Sequence, residues 1–279
     1  MSNLLKAITN LVNNPVVEIT DYYSGRNRAN SVGSALELYI KDIFANTVSE
    51  ANEQNCLIKY EEVFSYLGNQ NNPPDMILKG GDAIEVKKIQ SGGSALALNS
   101  SFPKSKLYAN SPMITAACRN CEEWESKDII YAVGYTSDNA VNWLWLVYGD
   151  CYAADQEIYN RIKTTISEGI ETIPNVEFTE TKELGKVKKV DPLGITDLRI
   201  RGMWHIDNPN KVFNYIDITV DCNFKLRVLM KKDKYLSFHE SDRSVIENND
   251  SINVSNIRIK NPNNPANLMD AVFIQFTID

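Results

Sequence analysis

"PPDMILKGGDAIEVKK", residues 73–88, is the stretch whose reading decides the fold. "MILKG" and "AIEVKKI" read as two strands, and Gly80, Gly81 and Asp82 between them suit a tight hairpin because glycine accepts positive φ. Strand side chains alternate, so Glu85 and Lys87 share one face while Ile84 and Val86 form the other, apolar one. A two-residue Gly80-Gly81 turn predicts Asp75 opposite Val86, and a three-residue turn that includes Asp82 predicts it opposite Lys87. Either register carries the Asp75 carboxylate to Glu85 and Lys87. Pro73 and Pro74 cannot donate ladder hydrogen bonds, so pairing is expected to weaken just before Asp75 and leave its side chain at an open edge.

Two carboxylates brought that close repel unless a cation lies between them, and hard oxygen ligands with room for water suit Mg²⁺. An ion there can hold a phosphate oxygen, activate a water and stabilise a leaving oxygen, while a neighbouring lysine orients or deprotonates the water. Those are the requirements of phosphodiester hydrolysis. The competing reading is a surface hairpin with an ordinary Glu/Lys pattern on its solvated face. The triplets "ESK" (Glu125 to Lys127) and "ETK" (Glu180 to Lys182) show how common that pattern is, but neither lies in an apolar alternating strand or follows a Pro-Asp and a glycine hairpin.

Outward from the hairpin, Leu4, Leu5, Ile8, Leu11 and Val12 predict a short amphipathic helix. Leu36, Tyr39, Ile40, Ile43 and Phe44 predict a stronger one, capped at Asn30 or Ser31. "SPMITAACRNCEEWE" is expected to be helical, "DIIYAVGY" and "VNWLWLVYG" to be buried strands around "TSDNA", and Ile158, Ile162 and Ile166 to mark a further helix. "FNYIDITV", "FKLRVLM", "INVSNIRI" and "AVFIQFT" make the second half strand-rich, with "NNDS" and "NPNNPAN" as polar loops. No repeat or convincing boundary divides the chain. We expect one mixed α/β domain over residues 1–279, with a catalytic core over about 20–170 and a recognition part over about 180–279 that is a β-rich C-terminal extension.

The 279 residues, 43% of them hydrophobic, support a substantial core, and no apolar run approaches the length of a membrane helix. Five scattered cysteines argue for reduced thiols and a cytoplasmic address. A net charge of −7 excludes a protein that coats nucleic acid indiscriminately. The charge is nevertheless divided, since Lys182 to Lys234 holds 12 Lys or Arg against 7 Asp or Glu. Cys118-x-x-Cys121 has no second pair to complete a zinc site, the only histidines are His205 and His239, and neither a GxxxxGK[ST] loop nor a GxSxG elbow occurs.

Pro74-Asp75, nine intervening residues, then Glu85-Val86-Lys87 resembles the active-site motif of the PD-(D/E)XK nucleases. More narrowly, "DYYSGRNRANSVGSALE", "NPPDMILKGGDAIEVKKIQS", "SALALNSSFPKSKL" and "IPNVEFTETKELGKVKKVDPLGITDLRIRGMWHI" are similar to the NgoPII-type type II restriction endonucleases, over most of residues 3–216. The resemblance implies a restriction-endonuclease-like core, with a mixed sheet flanked by helices. It further implies a Mg²⁺-dependent homodimer that cuts double-stranded DNA at a short palindrome such as GGCC, beside a cognate DNA methyltransferase. Asp75 and Glu85 become metal ligands and Lys87 the catalytic lysine. Glu37 becomes the acidic residue that such nucleases often add from a helix, although a salt bridge to Lys41 explains it equally.

A target of G·C pairs calls for Arg or Lys toward guanine and for acidic or amide acceptors toward cytosine. Asp197, Arg199 and Arg201 alternate in "TDLRIRGMWHID", followed by Trp204 and His205, and supply such groups; a solvated strand anchored by Trp204 is the plainer reading. Lys186, Lys188 and Lys189 in "GKVKK" form a flexible loop for phosphates or merely for solvent, and Asn99, Ser100, Ser101, Lys104 and Lys106 offer donors to the scissile backbone or caps to a helix. A structure-specific repair or junction nuclease, or a DNA-binding protein without catalysis, remains an alternative at this point.

Overall fold

The computed structural model describes residues 1–24, 32–69, 72–89, 91–99, 101–137, 139–216 and 222–279. Its centre is one mixed sheet. In chain order the strands are β1 (Phe64–Asn69), β2 (Asn72–Leu78), β3 (Ala83–Ile89), β4 (Leu96–Ala97), β5 (Lys106–Tyr108), β6 (Ser126–Ser137), β7 (Ala140–Tyr148), β8 (Glu177–Phe178), β9 (Gly185–Lys188), β10 (Leu198–Ile200), β11 (His205–Ile206), β12 (Phe224–Lys231), β13 (Asn253–Asn261) and β14 (Asn264–Ile278). The central order is β1-β2-β3-β6-β7-β12-β14-β13, with β5 paired to β6. The pairs β3/β6 and β7/β12 are parallel and the rest antiparallel.

The helices are α1 (Leu4–Asn13), α2 (Ile19–Ser24), α3 (Val32–Ala45), α4 (Glu53–Val63), α5 (Ala116–Arg119), α6 (Gly149–Tyr152), α7 (Gln156–Glu171), α8 (Pro209–Val212), α9 (Lys232–Ser237) and α10 (Glu240–Glu247). One sheet face is sealed by α1–α4, α9 and α10. Leu4, Leu5, Ile8 and Leu11 of α1 and Leu36, Tyr39, Ile40 and Ile43 of α3 pack there on Met76, Ile84, Ala132, Leu146 and Val228. Burying each such aliphatic side chain contributes about 1.5–3 kcal/mol. The stripe that predicted α1 is therefore the stripe that closes the core, and Asn3 caps the helix by accepting from the Lys6 N–H. The proposed caps of α3, Asn30 and Ser31, lie outside the described residues.

The opposite face carries Ile77, Ala83, Tyr131, Val133, Trp145 and Phe273 under α5, α6 and α8. Glu85 and Lys87 project to this face, because they alternate with Ile84, which belongs to the other. Here α6 crowds the main chain of the loop that leads into β5. A Cβ on Gly149 would stand 2.3 Å from the Lys104 carbonyl oxygen and 2.8 Å from that of Ser105. Neither backbone group can swing aside, so Gly149→Ala is expected to destabilise by about 3 kcal/mol, read as a lower urea midpoint.

Several expectations are corrected. "SPMITAACRNCEEWE" contains only the single turn α5, because Thr115 caps it and the chain leaves it at Asn120. Residues 213–216 of "FNYIDITV" continue a turn after α8 rather than a strand, and residues 217–220 lie outside the described residues. "NPNNPAN" is a loop only at residues 262–263, the tight reversal between β13 and β14 with Asn261 paired to Asn264, and its remainder is strand. The C-terminal strands are not an extension: β12 lies beside β7, and β14 and β13 complete that sheet edge. Much of the positive charge of the second half is consequently consumed inside the fold. Lys225 and Arg227 are each 4% exposed, and Lys234 is clamped between Asp82 at 2.7 Å and Asp128 at 2.8 Å.

Candidate active site

The β2/β3 hairpin adopts neither expected register. Met76 faces Ile84 and Ile77 faces Ala83, which sets Asp75 level with Glu85. The reversal is Lys79-Gly80-Gly81, closed by the Leu78 N–H donating to the Asp82 carbonyl at 3.0 Å, with Gly80 at φ 61°. Asp82 is excluded from the turn because its carboxylate faces inward, accepting from Lys234 and from the Tyr148 hydroxyl at 2.6 Å. Pairing recorded between the main chains ends at Met76, as the two prolines require. Beyond it the Asp75 carboxylate takes over, accepting the Val86 N–H at 2.6 Å.

The expected triad is assembled. Lys87 Nζ lies 2.6 Å from Glu85 Oε1, and Glu85 Oε2 is buried with no hydrogen-bond partner. Burial and the Glu85 charge push the Asp75 carboxyl up to about 7, with Glu37 adding to the rise; Lys87 and the Val86 N–H oppose it. Burial works to lower Lys87, but the Glu85 carboxylate beside it overcomes that and holds the ammonium above its ordinary value. Glu37, half-buried on α3, is felt by both Asp75 and Lys87, whereas Lys41, its competing partner, lies over the Tyr60 ring at 5.6 Å. Among the described residues no group of three His, Cys, Asp or Glu side chains is close enough to cage a metal by itself. Two carboxylates, one with an unpartnered oxygen, fit a cation that completes its shell with water and substrate oxygens.

Asp75, Glu85 and Lys87 open into a cleft of about 1100 Å³, whose lining does not include Glu37. Asn99, Ser101, Lys104, Arg199 and Arg201 line it too. Lys104 is more deeply placed than a phosphate contact needs to be. It is 8% exposed, bonded to Ser101 Oγ and the Phe102 carbonyl, and burial pulls it down to about 8. Asn99 accepts the Trp204 N–H through its carbonyl, and β4 pairs with β11, so the loop after β3 is tied to the arginine-bearing segment. Ser100 lies outside the described residues. Lys106 turns away to Asp128 at 3.1 Å. "GKVKK" is strand β9 with β8 and β10 on either side, not a flexible loop: Lys186 pairs with Asp197 at 2.8 Å, and Lys188 stands opposite Glu177. His205 is exposed on β11, and neither it, Asp197 nor Lys188 is among the residues lining the cleft.

Three cleft residues had no sequence signal as functional groups. Glu183 holds both arginines, Arg119 is fixed by its bonds to the Ala109 and Ser111 carbonyls, and Tyr131 lines the cleft with its hydroxyl accepting the Lys104 N–H. Only long-range pairing brings them there.

A family model described as the NgoPII restriction endonuclease matches residues 2–260. The chain belongs to the NgoPII restriction endonuclease family. It is also 49% identical over 276 residues to a curated Neisseria gonorrhoeae protein, "Type II restriction enzyme NgoPII", covering 98% of this chain and 99% of that one. This family match runs well past residue 216, where the motifs legible by eye stop, and so takes in β12 and most of β13. Membership makes the chain a type II restriction endonuclease, a hydrolase of the nuclease class. No solved structure matches.

Proposed function

We propose that this member of the family is a Mg²⁺-dependent PD-(D/E)XK-type homodimer that cleaves double-stranded DNA at the palindrome GGCC. Its active-site residues are Asp75, Glu85, Lys87 and Glu37. The observation that carries the reading is the convergence of Asp75, Glu85 and Lys87, with the unpartnered Glu85 oxygen, in a cleft that also presents Arg199 and Arg201. Asp75 and Glu85 would hold the ion, which supplies Lewis-acid activation of water and neutralises charge at the cleaved phosphate. Lys87, kept protonated by Glu85, donates to the attacked phosphate and orients the nucleophilic water. Glu37 adds negative charge from the helix side. Lys104, Ser101 and Asn99 position the scissile strand, and Arg199 and Arg201 contact the target. Lys188, Asp197 and His205 lie outside this arrangement in the free protein and serve DNA only at its periphery.

A two-fold dimer matches a palindrome, one subunit per strand. Such an enzyme in the cytoplasm needs a methyltransferase of the same specificity to protect the host DNA. The whole chain works as one unit, with recognition falling to residues 181–206 rather than to the C-terminal strands. No helix among the described residues is long and apolar enough to cross a membrane.

The test is digestion of a plasmid of known sequence at Mg²⁺ on the order of 10 mM, a range that fills a water-rich carboxylate site. Fragments ending within GGCC, and their absence from GGCC-methylated DNA, are expected; a plasmid left intact with every divalent ion sinks the reading. Protons and metal compete for Asp75, whose carboxyl burial and the Glu85 charge push up to about 7. Mg²⁺ affinity is therefore expected to weaken about tenfold per pH unit below 7 and to level off above it. Calorimetric titrations at pH 6 and pH 8.5 check this, and equal affinities at the two would count against Asp75 as a ligand.

A further inference from the structure

Glu183 has no role in the reading above, yet it organises the wall of the cleft facing the catalytic carboxylates. Arg199 donates to it twice, Nε to Oε2 at 2.9 Å and Nη2 to Oε1 at 3.0 Å, and Arg201 Nε lies 2.6 Å from Oε1. The burial is asymmetric. The Glu183 side chain is 12% exposed, against 56% for Arg199 and 59% for Arg201. All three residues line the cleft, and the guanidinium groups are its more exposed part.

The backing of Glu183 is rigid. Its N–H donates to Thr181 Oγ1 at 3.2 Å, the next residue's N–H donates to the Ile200 carbonyl at 3.1 Å, and Ser167 of α7 donates to the Leu184 carbonyl at 2.5 Å. Of five N–H groups on each guanidinium, Arg199 spends two and Arg201 one on the carboxylate. The remainder stay available toward the cleft.

We propose that Glu183 is a specificity-determining positioning residue. It locks Arg199 and Arg201 into a paired donor fork that reads adjacent acceptor pairs on base edges in the major groove, the guanine O6/N7 pattern, and it stays in place when DNA binds. Displacing it would part a carboxylate that is only 12% exposed from both of its cationic partners, which is unfavourable. A fixed fork has value only where geometry carries information; phosphates are served as well by mobile side chains. The shared carboxylate also reduces two positive charges to a net of one, which weakens attraction to DNA of any sequence and so widens the gap between right and wrong sites.

The proposal rests on the assignment of the cleavage site, so binding is measured separately from cutting. In a Lys87→Ala background, the affinities of Glu183 and its E183Q and E183A variants are compared for a duplex carrying the site, duplexes with one substituted base pair, and an unrelated duplex. E183Q and E183A are expected to lower discrimination about tenfold or more, the scale of one bidentate base contact. Cognate binding weakens while unrelated binding tightens and its salt dependence steepens by about one unit. R199K, which keeps the charge and loses the fork, is expected to lose discrimination as well and stands in if the Glu183 variants fold poorly. Tightening by the same factor on all three duplexes would show Glu183 to be a mask displaced by DNA, and unchanged discrimination in E183Q or R199K would show a structural pair only; either overturns the proposal. If Lys87→Ala still cuts, the cleavage assignment fails while the binding comparison continues to judge Glu183.

Discussion

Lys87→Ala is expected to slow single-turnover cleavage of the cognate site by about 10³-fold or more at saturating DNA and Mg²⁺, with DNA affinity changed little. Removing a positioned proton donor or acceptor costs about 10²–10⁴. Loss of charge stabilisation at the phosphate adds to that. No neighbour takes over. Lys104 lines the same cleft, but its ammonium is tied to Ser101 and the Phe102 carbonyl and is pulled down to about 8, so near neutral pH it is already losing its charge. Lys87→Arg is not expected to rescue, since a planar fork does not place a point charge where the 2.6 Å contact with Glu85 now sets it. Mg²⁺ binding in the alanine variant should be no weaker than in the parent, because the cation that now neutralises Glu85 is gone. Cleavage within tenfold of the parent would remove Lys87 from the chemistry.

The β2/β3 hairpin was legible because its signals are local. Alternation separates Glu85 and Lys87 from Ile84, and the prolines end the ladder at a position that sequence alone identifies. The register was not legible: it turns on Asp82, and Asp82 leaves the turn for partners at Tyr148 and Lys234, 66 and 152 residues away. The long buried strands and the amphipathic α1 and α3 were readable for the same local reason. α5 was overestimated because "TAACRN" has helical composition without a stripe for a core to hold. The recognition wall was only half readable. Arg199 and Arg201 announce themselves by alternation, while Glu183 lies 16 and 18 residues earlier, in the bend before β9, and is brought to them by a β9/β10 pairing that no periodicity reveals. The charge count over Lys182 to Lys234 also says less about the cleft than its size suggests, because Lys225 and Arg227 are buried on β12 and Lys234 is paired with Asp82 and Asp128.

Asp75→Asn is expected to abolish cleavage, by about 10³-fold or more on the scale of a lost metal ligand and the chemistry that depends on it, while making the metal-free protein more stable. The two effects have one cause. Asp75 stands level with Glu85, and burial together with that neighbour raises its carboxyl from the ordinary 3.8 to about 7. The folded state therefore holds the charged form against an opposing free energy that the unfolded chain does not feel. That rise corresponds to about 4 kcal/mol as an upper bound, and relaxation plus the retained Val86 hydrogen bond leave an expected gain of about 1–3 kcal/mol. An asparagine amide can also donate toward the unpartnered Glu85 Oε2. The sign fixes the pH window. Above pH 7 both states of the parent are ionised and the gain is complete; as pH falls through 7 the folded parent takes up a proton and recovers the difference, and by about pH 4 parent and variant converge. Urea unfolding at pH 8 and pH 5 measures this directly. Mg²⁺ should then invert the order at pH 8, stabilising the parent by its occupancy while leaving the variant almost unchanged. A variant that is less stable than the parent at pH 8 without metal would show that Asp75 is held by attraction rather than poised against its neighbour, and the carboxylate pair would lose its standing as a metal site.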